Sequence, residues 1–167
     1  YHDLSIGILG AIDEALKSDA FDRADIQFVR LSTTLATNSI LTGKGGKVGH
    51  IGIGWTPMND YRSGADMDAY IKGGHGVWAQ QAAPLDTDAL EEAVKKMMSE
   101  VDSFVVSSHF SVYNPSHELE AARMIKQRTG LPVVLGHHLT SQLGVPERSV
   151  TAVLNARLLP IISDFLD

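Results

Sequence analysis

Apolar positions along the chain fall into short periodic segments separated by glycine- and proline-rich breaks. Leu4, Ile8, Ile12 and Leu16 recur every fourth residue, which predicts a helix with one apolar stripe that must pack on something. Ile26 to Ser32 reads as a strand, Thr34 to Thr42 as a short helix stopped by Gly43, and Lys47 to Ile53 as a second strand. From Gly54 to Pro84 periodicity is lost among Pro57, Gly64, Gly73, Gly74 and Gly76. A loop of this length is expected to be functional, mobile, or an insertion hiding elements of its own.

Order returns at Asp86 or Thr87, either of which can cap a helix running to Glu100. Leu90, Val94, Met97 and Val101 share one face of it, acidic residues open it and Lys95 and Lys96 close it, in accord with the helix dipole. Asp102 to Ser107 reads as a buried strand. Asn114 caps the next helix, with Pro115 at its first position and Gly130 at its end. Leu131 to Gly136 reads as another strand. Pro146 opens a last helix with Val150, Val153, Leu154 and Leu158 apolar, which Pro160 is expected to kink or end. Strands alternating with helices at this spacing predict an α/β protein, a mainly parallel sheet with helices on both faces. The chain reads as one domain over residues 1–167, with the irregular stretch 54–84 inside it.

Composition narrows the functional classes. Of 167 residues 44% are hydrophobic and 20% charged, with a mean hydropathy of −0.01, so the chain is too apolar for intrinsic disorder. The net charge of −6, without a basic block, argues against nucleic acid or an anionic membrane as partner. Cysteine is absent, which removes disulfides, thiolate zinc sites and cysteine nucleophiles. No run approaches the roughly 20 apolar residues of a membrane span, and Tyr1-His2-Asp3 does not start a signal peptide. A cytoplasmic protein is expected. Tyr1 in place of methionine, and an amphipathic Ile161–Asp167 without a stop signal, suggest a piece of a longer protein.

Ligands of open α/β sheets bind beyond the carboxyl ends of the strands. Polar residues gather at three such places: Ser32, Thr33, Thr34 and Asn38; Ser107, Ser108 and His109; and Gly136, His137, His138, Thr140 and Ser141. The first group stands at a helix start, suited to phosphate or carboxylate, with Thr34 and Asn38 on one face; ordinary helix capping is the alternative. Gly43-Lys44-Gly45-Gly46-Lys47 is a helix stop and turn, because a phosphate loop needs a strand before it, a helix after it and Ser or Thr after the lysine. His109, His137 and His138 lack the spacing of a metal site, and neighbouring histidines on an extended segment point to opposite sides. No metal site is therefore assigned. His50, inside a strand, reads as a satisfied core histidine, and His117 as part of a helix cap. Ser107 and Ser108 beside His109 lack a nucleophile elbow. Arg148, in a first helical turn where the dipole disfavours it, and Asn155, among apolar neighbours, suit either a ligand or a structural bond. Trp55, Tyr70 and Trp78 suit a lid or a partner surface.

Three blocks carry a resemblance. Leu31-Ser32-Thr33-Thr34-Leu35-Ala36-Thr37-Asn38-Ser39-Ile40-Leu41, Ser111-Val112-Tyr113-Asn114-Pro115-Ser116-His117-Glu118, and Pro146-Glu147-Arg148-Ser149-Val150-Thr151 with Asn155-Ala156 and Pro160 follow one another in this order. Together they resemble the amino-terminal region of the hydantoinase/oxoprolinase family of the hydantoinase A type, over nearly the whole chain. The resemblance implies an actin-like, ribonuclease H-like ATPase architecture, in which ATP with Mg drives opening of a cyclic amide such as a hydantoin or 5-oxoproline; relatives carboxylate acetone. It implies Thr33, Thr34 and Asn38 at the nucleotide or substrate cleft, with Arg148, Asn155 and His137 as substrate-binding candidates. The partners implied are a small-molecule substrate and the remainder of the parent chain or a partner subunit. The family's Asp-x-Gly-Gly-Thr phosphate hairpin is expected upstream of Tyr1, so the fragment alone is expected to fold without turning over ATP. A noncatalytic interaction module that binds a partner subunit through 54–84 is the alternative.

Overall fold

A computed structural model describes residues 4–17, 24, 26–28, 34–58 and 61–166. Its centre is a four-stranded sheet of β1 (Val48–Ile53), β2 (Met67–Ile71), β3 (Ser103–Ser108) and β4 (Val133–Leu135), in the order β2-β1-β3-β4 with every pairing parallel. The helices are α1 (Leu4–Ala15), α2 (Leu35–Leu41), α3 (Thr87–Met97), α4 (Ser116–Thr129), α5 (Gly136–Leu139) and α6 (Val145–Leu166). The α/β class read from the alternation of segments is the class observed.

Strand residues alternate between two faces, and the two faces are covered differently. Ile51, Ile53, Phe104 and Val106 point to one side, where Leu90, Val94 and Met97 of α3 and Ala121 and Ile125 of α4 close over them in the larger hydrophobic core. Val48 and Val105 point to the other, where α6 lays Ala152, Val153 and Ala156 on the sheet. Small residues on α6 let its backbone come close to β3.

Local chemistry explains where the elements start and stop. Asp86 accepts the Ala89 amide at 3.0 Å and starts α3; Asp88 lies in its first turn and Lys95 and Lys96 in its last. Gly130 ends α4 at φ 72°, a left-handed conformation that glycine adopts without strain. Asp102 stands just before β3, where its carboxylate accepts the Lys47 amide at 2.7 Å and aligns β3 with β1. On α1, Ile8, Ile12 and Leu16 are half-buried, whereas Ile6 and Leu9 face solvent.

The stretch 54–84 contains β2, an edge strand too short to show a period and interrupted by the polar Asp68, so it does hide an element of its own. Three expectations change. Pro160 does not end α6, which continues to Leu166; the Ala156 carbonyl that a proline at this position leaves without its helical donor accepts the Ser103 hydroxyl at 3.4 Å. His137 and His138 lie on the helical turn α5, with rings 4.3 Å apart, and not on an extended segment. Of the strand expected at Ile26–Ser32, residues 29–32 lie outside the described residues, and Ile26–Phe28 belong to no strand.

The chain leaves β1 toward β2 on one side and leaves β3 toward β4 on the other. These opposite departures part the chain beyond the carboxyl ends of the two central strands, the place where sheets of this kind bind ligands.

Candidate functional site

At that point the structure has a cavity of about 580 Å³. Trp55, Thr56, Met58 and Tyr61 from the β1–β2 connection form one wall, His109 and Phe110 after β3 the second, and Leu143 to Pro146 at the start of α6 the third. Its volume is that of a small-molecule site, apolar for the most part with a few polar groups.

Two buried polar networks hold these walls. The first lies on the α6 face of the sheet. His50 stands opposite Asp68 in the β1–β2 register, and its Nδ1 is 2.7 Å from Asp68 Oδ1. His50 Nε2 is 2.7 Å from Ser107 Oγ, and the Ser149 hydroxyl donates to Ser107 Oγ at 2.7 Å. Gly52, two residues beyond His50 on the same face, makes room for the aromatic cover: a Cβ there would meet Tyr70 Cδ1 at 2.6 Å and Trp55 Nε1 at 3.1 Å. Tyr70 stands edge-on to the His50 ring at 5.8 Å, and Trp55 packs edge-on to both Tyr61 and Tyr70.

The second network braces the end of β3. Glu118, fully buried, accepts the Ser108 amide at 2.7 Å with one oxygen, and with the other the His137 amide at 3.1 Å and its Nδ1 at 2.6 Å. Arg148 is also fully buried. Its guanidinium donates to the carbonyls of Gln142, Leu143 and Ser108 at 2.7 to 2.8 Å and to Ser111 Oγ at 3.2 Å. Arg148 therefore ties two cavity walls together.

Burial and neighbouring charge tune the titratable groups. Burial raises the Tyr61 hydroxyl above its ordinary value, helped by the Asp68 and Glu147 charges and opposed by a hydrogen bond with Ser149. Burial also works to raise Asp68, yet hydrogen bonds from His50, Ser63 and Tyr70 and the His50 charge together hold it below the usual carboxylate value. Burial lowers His109, and the Arg148 charge lowers it further. At the rim, the Gly74 amide donates to His117 Nδ1 at 2.8 Å, and His75 Nε2 lies 3.1 Å from Ser116 Oγ.

The residues singled out in the sequence are distributed unevenly around this cavity. Thr33 lies outside the described residues. Thr34, just before α2, and Asn38 on it come together as their spacing implies, Asn38 Nδ2 donating to Thr34 Oγ1 at 3.4 Å, but both are exposed and neither lines the cavity. Asn155 is exposed and donates to the Thr151 carbonyl of its own helix at 2.8 Å. His137 is occupied by Glu118. Ser107 does pair with a histidine, but the histidine is His50 and the pair is sealed at 0% exposure, out of reach of an acyl group. Asp68, Tyr61 and Ser149 carried no signal of their own, since each acquires its meaning from residues far away in the chain.

The walls do not fit a metal-bound triphosphate. They contain no lysine, arginine or carboxylate, and among the described residues no three metal-ligating side chains converge.

Comparison with known proteins adds the following. The family model for the hydantoinase/oxoprolinase N-terminal region matches residues 1–129. The chain is 27% identical over 197 residues to the acetophenone carboxylase gamma subunit of Aromatoleum aromaticum, covering 94% of this chain and 27% of that one. It is 25% identical over 179 residues to 5-oxoprolinase 1 of Arabidopsis thaliana, covering 84% of this chain and 14% of that one. The structure of ATP-dependent caprolactamase from Pseudomonas jessenii superimposes with a TM-score of 0.76 at 22% identity, over 95% of this chain and 27% of that one. The chain thus spans about a quarter or less of the length of these relatives.

Proposed function

Because this chain belongs to the hydantoinase/oxoprolinase family, we propose that it forms part of an ATP-dependent enzyme that opens a cyclic amide of the hydantoin or 5-oxoproline type. The observation that carries this reading is the cavity at the ends of β1 and β3. A small flat ring with an apolar body and a few polar atoms matches its aromatic and aliphatic walls, and Thr56, Tyr61 and His109 supply polar contacts. Arg148 acts here by positioning the walls, and His137 and Asn155 are set back from the ring.

ATP and its Mg would bind away from this cavity. Thr33, Thr34 and Asn38 are our candidates for the edge of the nucleotide cleft, completed by the rest of the parent chain or by a partner subunit. ATP supplies the driving force by activating the amide carbonyl; the residues of this chain orient the ring and exclude water from it. Among the described residues no helix is long and apolar enough to cross a membrane, and we place the enzyme in the cytoplasm.

The test is substrate-stimulated ADP release by the full-length protein, with hydantoin and 5-oxoproline offered in turn. Stimulation by either supports the reading, and stimulation by neither removes it. Thr34→Ala should weaken ATP use; an unchanged rate would take Thr34 out of the cleft.

One observation favours a second reading. Met58 and Trp78, both in 54–84, are 87% and 85% exposed, more than large apolar side chains usually are. This stretch would then bind a partner subunit. Replacing both by serine should abolish that association while leaving nucleotide binding intact.

A further inference from the structure

The turn that follows β3 carries a strained residue on the second cavity wall. Phe110 has φ 53°, the left-handed region, where a bulky side chain crowds its own backbone and glycine does not. Such a conformation persists only where the surroundings over-determine it, and here they do. The His109 amide donates to the Ile53 carbonyl at 3.0 Å, and the His109 carbonyl accepts from the His75 amide at 3.3 Å. The Ser111 amide donates to the Ser108 carbonyl at 3.3 Å, and buried Arg148 donates both to that carbonyl and to Ser111 Oγ. The Phe110 carbonyl itself accepts the Tyr113 and Asn114 amides at 3.0 and 3.1 Å.

None of these bonds uses the Phe110 side chain. A glycine would make every one of them and would adopt φ 53° without strain, so the turn gives no reason for a phenyl group. The core gives none either, because Phe110 belongs to neither hydrophobic cluster and is only half-buried. What the ring does is line the cavity. It lies parallel to the Tyr113 ring within 8° at 6.2 Å and beside the His109 imidazole at 4.4 Å, and these neighbours fix its tilt. Trp55 and Tyr61, packed edge-on at 5.2 Å, make the first cavity wall aromatic as well.

We propose that Phe110 is the specificity-determining residue of the cavity, its phenyl ring held there against backbone strain so that it stacks a flat cyclic amide and disfavours a puckered one. The inference rests on the ring-opening reading above and names the shape of ring that the site takes. A planar amide ring offers a continuous face to an aromatic ring, in offset stacking or against its edge. A puckered ring projects hydrogens from its mean plane and brings fewer atoms to contact distance, so it gains less from the same wall. Hydantoin is flat; δ-valerolactam, a neutral lactam of similar size, is puckered. Phe110 takes no part in bond making or proton transfer. It acts on which ring is bound and on the plane in which that ring is held.

Equilibrium binding of hydantoin and of δ-valerolactam to the full-length protein, together with ATP-dependent hydantoin turnover, tests this. Phe110→Leu keeps an apolar side chain and removes the flat face. It should weaken hydantoin binding about 10-fold, leave δ-valerolactam binding within about 2-fold, and raise KM for hydantoin with kcat nearly unchanged. Phe110→Gly should lose at least as much hydantoin affinity while its midpoint of denaturant unfolding does not fall, since the turn keeps its bonds and sheds its strain. A midpoint lowered by Phe110→Gly would show that the ring serves the fold, and overturns the inference. Unchanged hydantoin affinity in Phe110→Leu, or equal weakening of both ligands, overturns it too. Hydantoin turnover with a KM indifferent to Phe110 defeats the inference and leaves ring opening in place. Phe110-dependent hydantoin binding without ADP release defeats ring opening and leaves the inference in place. If the unmodified protein does not bind hydantoin, both fall.

Discussion

The two faces of the sheet are built from the same strands and differ in kind. Under α3 and α4, Phe104, Val106, Ile51 and Ile53 pack into a cluster of apolar side chains, with the buried Glu118 of α4 at the end of β3. Under α6, Val48 and Val105 alternate with His50, Ser103 and Ser107, and Ser149 and Arg148 come down from the helix. Burial without hydrogen-bonding demands makes the first face the main source of stability. The second gives up apolar area for groups that must each find a partner, and the cavity opens at its end. Polar groups at that depth are costly unless they are joined into a complete network, which makes this face the one on which function is read.

Substitutions can break this contrast. Phe104→Ala should remove about 3 to 5 kcal/mol of stability, measured by denaturant unfolding, while leaving the His50 ring resonances unchanged. Arg148→Met should cost about 2 to 3 kcal/mol by stripping the donor from the buried Ser108 carbonyl and untying the Gln142 and Leu143 carbonyls, and should also loosen residues 142–146 in hydrogen exchange. If Arg148→Met were as mild as a surface change, the brace assigned to it would be wrong. Ser107→Ala should cost only about 1 to 2 kcal/mol in unfolding experiments, the cost of one unmet acceptor, yet should move the His50 ring resonances that Phe104→Ala leaves in place. Gly130→Ala, at φ 72° with open space around it, should cost about 1 kcal/mol through backbone strain alone and leave ligand binding unaffected.

The rim adds a pH dependence. Burial lowers both His75 and His117 below 6.5, with the neighbouring His117 charge also acting on His75. The unfolded chain therefore takes up these protons first. Stability should be complete above pH 6.5 and fall as the pH drops below it, which thermal unfolding across pH 8 to 5 would show. His117→Asn should flatten that slope.

The sequence by itself determined the α/β class, three of the four strands, and most helix boundaries, because these follow from local period, caps and terminating glycines. The Asp86 cap and the Gly130 stop fall where composition puts them; α4 begins at Ser116, one residue later than Asn114-Pro115 suggests, with Asn114 Oδ1 accepting the Ser116 amide. Its three family blocks were equally legible, since such patterns are linear. Tertiary structure alone decided that Met67–Ile71 is an edge strand, because five residues are too few to show a period. It also decided that Asp68, His50, Ser107 and Ser149 form one file. Those four residues are brought together by parallel register and by the descent of α6 onto the sheet, and a hydrogen bond between residues 57 positions apart, such as that of His50 with Ser107, leaves no trace in local composition. Arg148 shows the same limit: its chemistry was visible in the chain, but burial and four acceptors were needed to show that it holds the walls together.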